Sequence, residues 1–174
     1  MVARAPFSMI PFRLFSLVFG AWAVAVAVCD CRSRRVPNTL VGAGFVAALA
    51  AALLHAGPAH LGMEQALAAA AVGLAALMPF FVLGMMGAAD VKVFAVLGAW
   101  CGMQALLGLW VVASLAAFVH VLATLIAQRA RAHVTAARPA RLVPLGARRG
   151  TPYVACLSVP ALVWLALQLA HGRL

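Results

Sequence analysis

Gly84-Met85-Met86-Gly87-Ala88-Ala89-Asp90-Val91-Lys92 sets a carboxylate and an ammonium against long apolar sequence on either side. The chain has three acidic residues: Asp90, Asp30 at the end of the first apolar segment, and Glu64 after the turn-rich stretch 55–62. From Val91 the sequence stays largely apolar to Ala127. That is too long for a single crossing of a bilayer core, which takes about 20 helical residues. Two helices are therefore expected, with the break at Gly102-Met103-Gln104 and a break near Gly108 as the alternative.

The whole chain shares this apolar character. Its 174 residues are 67% hydrophobic and 9% charged, with mean hydropathy +1.09, far more apolar than a soluble domain. The apolar runs are rich in Ala, Leu, Val and Gly. They suit helices packed through small residues better than the alternating strands of a membrane barrel. Further spans are expected at about Leu14–Cys29, Thr39–Leu54, Gln65–Leu83 with a kink at Pro79, and Pro152–Ala170 interrupted by Pro160. The first span has no good cleavage site at its end and is expected to be retained. Pro37 restricts the chain ahead of the second span, and Asn38 is its expected N-cap. Glu64 near the start of the third span suits the helix dipole. The expectation is an all-α, polytopic membrane protein of about six transmembrane helices, forming one domain over residues 1–174.

The net charge of +10 is placed almost wholly in the loops. With six spans and the Arg32-Ser33-Arg34-Arg35 loop inside, ten of the thirteen Lys and Arg residues fall on the cytoplasmic side. They are Arg32, Arg34, Arg35, Lys92 and the six arginines of the long 128–150 loop. The positive-inside rule then makes loops 30–38, 84–92 and 128–150 cytoplasmic and both termini periplasmic. These bases are read as topology signals and as contacts to anionic lipid headgroups. A nucleic-acid partner is not expected, because the aromatic interleaving of a base-stacking surface is missing. Cys29, Cys31, Cys101 and Cys156 form neither a C-x-x-C pair nor a zinc-spaced cluster, so each is read as a small packing residue and no metal or cofactor is expected.

This topology brings Asp30, at the inner end of the first helix, and Asp90, at the inner start of the fourth, to one depth. Each could simply pair with a base of its own loop, Asp90 with Lys92. Read together, two carboxyl groups that share a proton repel one another, so one stays ionised while the other remains protonated. That division suits an aspartic peptidase: the ionised partner takes a proton from water as it attacks a peptide carbonyl, which the protonated partner polarises. A proton-coupled transporter or channel is the alternative use of intramembrane acids. A relay, however, asks for carboxylates near mid-bilayer rather than at helix ends.

Asp30 followed by Arg34-Arg35-Val36-Pro37-Asn38, and later Gly87-Ala88-Ala89-Asp90-Val91-Lys92, resembles the signature of the type IV prepilin peptidases, membrane aspartic peptidases with a G-x-G-D motif. The resemblance runs from about Asp30 to Trp100, and weakly to Thr151-Pro152-Tyr153. It implies removal of the basic leader of pilin or pseudopilin precursors at the cytoplasmic face of the bacterial inner membrane, with Asp30 and Asp90 as the catalytic pair. Larger members also methylate the new N-terminus and carry a cytoplasmic region with paired C-x-x-C motifs. This chain is similar to the small, peptidase-only form of the tight-adherence (Flp) pilus and secretion systems. Gly87, Lys92, Pro37 and Asn38 stand at motif positions. Ala89 stands where the motif has its second glycine. If that position needs a positive φ, Ala89 lowers activity or leaves a non-catalytic assembly subunit; if it only needs a small residue, Ala serves.

Overall fold

The computed structural model describes residues 9–33, 35–134 and 153–171, and all of its regular structure is helical. Arg34, most of the long basic loop and both termini lie outside the described residues, as do Thr151 and Pro152 of the weak motif. Five helices follow in order: α1 (Met9–Ser33), α2 (Asn38–Leu53), α3 (Met63–Val82), α4 (Ala88–Val134) and α5 (Tyr153–His171). Among the described residues three segments are long and apolar enough to cross a membrane: Pro11–Ser33, Met63–Val82 and Ala88–Ala127. The protein is a helical membrane protein.

The expected break in the long apolar run is at Gly102, whose backbone (φ 78, ψ 169) is not helical and divides α4 into two limbs. A side chain there would meet both the left-handed backbone and the Leu61 side chain, 3.0 Å from an added Cβ. The first limb, residues 88–101, is about 21 Å long at 1.5 Å per residue, shorter than the ~30 Å hydrocarbon core. Both α2 and the apolar part of α5 are also short.

Three details differ from the sequence reading. Helix α1 runs past the expected span end at Cys29 to Ser33, so Asp30 lies within its last turn. Arg32 complements the dipole of its last turn, and the Ser33 hydroxyl reaches Cys29 O at 2.8 Å and Arg35 O at 3.1 Å. At its far end α4 continues past Gln128 to Val134, since Gln, Arg and Ala are good helix formers even where they are polar. Asn38 is the first helical residue of α2 rather than its cap; Pro37 takes the cap position with extended backbone (φ −61, ψ 138). There the Pro37 carbonyl accepts from the N–H groups of Leu40 and Val41.

Packing follows the small residues. Helix α3 lies closest to α4, where Gly98 faces the α3 backbone: a Cβ on it would stand 2.5 Å from Ala69 O. Helix α5 packs on both α1 and α4, and α2 touches α1, α3 and α4. In the centre, the Phe19 ring of α1 contacts Trp100 of α4 at 5.1 Å between centroids and meets Trp164 of α5 edge-on at 6.4 Å. Such aromatic contacts add specific geometry to packing that the hydrophobic effect cannot drive inside lipid.

Candidate active site

Ser16, Phe19, Ala23, Val26 and Asp30 are all buried and recur every three or four residues along α1. They form one inward stripe, and Asp30 is its last member and its only charge. Although 7% exposed, it belongs to the face that packs against the rest of the bundle. On α4 the positions Asp90, Val93, Leu97 and Trp100 repeat the same spacing, and the three apolar ones are buried. Asp90 thus opens the inward stripe of α4, as Asp30 closes that of α1.

The two carboxyl groups are close enough for the charge of Asp30 to act on Asp90. Both sit within a turn of a helix end, the last turn of α1 and the first of α4. Cys156, in the first turn of α5, lies within electrostatic range of Asp30 and Cys31. Cys31 is exposed and Cys29 and Cys156 are partly so; among the four cysteines read as packing residues, Cys101 is the buried one. No three His, Cys, Asp or Glu side chains gather at metal-binding distance among the described residues.

Local backbone fixes the Asp90 carboxyl. The Gly87 N–H donates to Asp90 Oδ2 at 3.0 Å, and the Asp90 N–H donates back to Gly87 O at 3.1 Å. This is the reciprocal arrangement of a helix start, with the acidic side chain three residues in satisfying a free N–H and meeting the positive end of the dipole. A Cβ on Gly87 would approach Oδ2 to 3.1 Å, so glycine leaves the carboxyl room at this bond. Ala89 is in the first turn of α4, half-buried against the core, and its φ is not positive; among the described residues the non-glycines with positive φ are His55 and His60. Alanine is accommodated at this position without an unusual backbone.

Lys92 Nζ donates to Asn38 Oδ1 at 3.0 Å and so joins the start of α4 to the start of α2. This replaces the capping role expected of Asn38. Two tryptophans that the sequence reading passed over make further bonds to α2: Trp22 Nε1 donates to Leu40 O at 2.9 Å, and Trp100 Nε1 to Gly44 O at 3.1 Å. The only signal for them in sequence is chemical: an indole N–H in an apolar span needs an acceptor. Beside Asp90, the α3–α4 turn exposes Val82, Leu83 and Met85, an apolar approach to the site from one edge.

No curated protein and no solved structure matches the chain significantly. Over residues 17–122, more than half of its length, the sequence matches the type IV leader peptidase family, and the matched stretch contains both aspartates. A peptidase that acts on leader peptides agrees with a carboxyl pair at one end of a helical membrane bundle, and the chain belongs to the type IV leader peptidase family.

Proposed function

We propose that the protein is an aspartic endopeptidase of the bacterial inner membrane that removes the basic leader of type IV or Flp pilin-like precursors, with Asp30 and Asp90 as its catalytic pair. The observation that carries this reading is the convergence of two inward stripes, each ending in an aspartate, at one end of the bundle. Two carboxyls that feel one another's charge hold protons unequally, so that one is ionised while the other stays protonated. The ionised one accepts a proton from water as the oxygen attacks the carbonyl carbon of the scissile bond. The protonated one donates to the carbonyl oxygen. Collapse of the tetrahedral species returns a proton to the leaving amine and restores the shared one. No covalent intermediate forms.

The bundle crosses the membrane six times in this reading, with both termini periplasmic and the aspartates at the cytoplasmic face. The short first limb of α4 then leaves Asp90 near the headgroup region, where water and a leader peptide arrive together. The exposed turn at Val82–Met85 receives the apolar segment that follows the leader. Anionic lipid headgroups meet the exposed Arg32 and Arg35. Ala89 is compatible with activity because its backbone is ordinary, which favours an enzyme over a non-catalytic subunit.

Co-expression with a pilin precursor tests the proposal. Leader removal should occur with the wild-type chain and stop in both Asp30→Asn and Asp90→Asn, with each variant still in the membrane. Leader removal by both single variants would overturn it. A chelator should leave cleavage unchanged.

A further inference from the structure

We infer that α2 is the spacer that sets the separation of the two aspartates, with Trp22, Trp100, Asn38 and Lys92 as positioning residues that act through it; this rests on the aspartate-pair reading above. Helix α1, which carries Asp30, packs its backbone on α2 and α5; α4, which carries Asp90, packs on α2, α3 and α5. Three hydrogen bonds converge on the first two turns of α2, one from α1 and two from α4. Trp22 donates to Leu40 O, Trp100 to Gly44 O, and Lys92 to Asn38 Oδ1.

The chemistry of these bonds favours a spacer. Leu40 O and Gly44 O lie within a helix whose carbonyls already accept along the ladder, and the indoles use their second lone pairs. In an apolar surround an indole N–H without an acceptor is costly, so each tryptophan is held to one place on α2. Trp22 is 6% and Trp100 2% exposed, so water does not replace the lost acceptor. Gly44 permits the approach of α1: a Cβ there would run into the Trp22 indole ring. Helix α2 itself carries no ionisable side chain, so changes to it reach the aspartates only through position. Lys92 and Asn38 are exposed and hold the same joint from its outer end.

The test uses the full chain in lipid vesicles with a leader-bearing peptide. Trp22→Phe and Trp100→Phe keep a ring and remove the donor; each should lower kcat about tenfold or more with KM nearly unchanged, as misplaced catalytic groups do. Lys92→Met and Asn38→Leu should each lower kcat about threefold, the double variant no further than the worse single one. Lys92→Arg and Asn38→Asp, which keep donor and acceptor, should restore it. Additive losses in the double variant, or a change in KM alone, would overturn the inference. A second readout needs no activity. With Cys29, Cys31, Cys101 and Cys156 replaced by Ala, an Asp30→Cys/Asp90→Cys chain is cross-linked with a short thiol-to-thiol reagent, and the rate is compared with and without Trp22→Phe or Lys92→Met. A changed rate supports the spacer; an unchanged rate overturns it. Cleavage by Asp30→Asn would instead count against the aspartate pair, so the two failures are distinguishable.

Discussion

Phe19 on α1 meets Trp100 on α4 with ring centroids 5.1 Å apart, and from this contact each helix runs on to its aspartate. Asp30 lies eleven residues beyond Phe19, and Asp90 ten residues before Trp100. At 1.5 Å per residue these are runs of about 16 and 15 Å. With the end of α1 and the start of α4 at the same end of the bundle, both runs finish at one level. Phe19→Leu, which keeps an apolar side chain but loses the ring contact, should lower stability by about 1 kcal/mol. It should also reduce kcat more than it raises KM, as read by thermal unfolding in detergent and by peptide cleavage.

The close crossing of α3 and α4 depends on Gly98. A Cβ at that position meets the Ala69 carbonyl at 2.5 Å, and a backbone atom cannot step aside as a flexible side chain does. Gly98→Ala should cost about 1–3 kcal/mol by overpacking. The measurement is the thermal midpoint of the purified protein, which should fall by several degrees.

At the break in α4, Gly102→Ala places a side chain at φ 78 and 3.0 Å from Leu61. A positive φ with an extended ψ is open essentially only to glycine, and holding alanine there should cost about 1–3 kcal/mol. Because Gly102 is remote from the aspartates in sequence and at the far end of the first limb, kcat should change less than stability does.

Ala89→Gly tests whether the missing motif glycine matters. Ala89 has no positive φ and sits in the first turn of α4, so glycine there gains no needed conformation and gives up about 0.5–1 kcal/mol of helix stability. Cleavage by Ala89→Gly should stay within about twofold of wild type in kcat/KM. A large gain would show that the alanine restrains the site.

Much of this was legible in sequence, and the remainder has physical causes. Length limits on a bilayer crossing put a break in the 91–127 run, and of the two places expected for it, Gly102 and not Gly108 takes the non-helical backbone. The scarcity of acids drew attention to Asp30 and Asp90, and their spacing from Phe19, Val26, Val93 and Leu97 marks the inward stripes once the helices are known. Asn38 misled because an N-cap preference is local, whereas its side chain is used by Lys92, 54 residues away. The bonds from Trp22 and Trp100 to α2 carbonyls were hidden for the same reason: the acceptors are backbone atoms, and any residue supplies one. The extension of α4 beyond Gln128 escaped a reading based on apolarity, since a helix does not stop where the membrane does.

In the proposed mechanism Asp30 and Asp90 carry the reaction together. The most direct measurement is kcat/KM for a fluorogenic leader peptide, with purified wild type, Asp30→Asn and Asp90→Asn in lipid vesicles. Each substitution keeps the size of the side chain and removes the ability to exchange a proton with water. Either change alone should lower kcat/KM by at least about a thousandfold, with the double variant scarcely worse, because groups that act as a unit do not contribute additively. Cleavage by either single variant at a rate near that of wild type would contradict it.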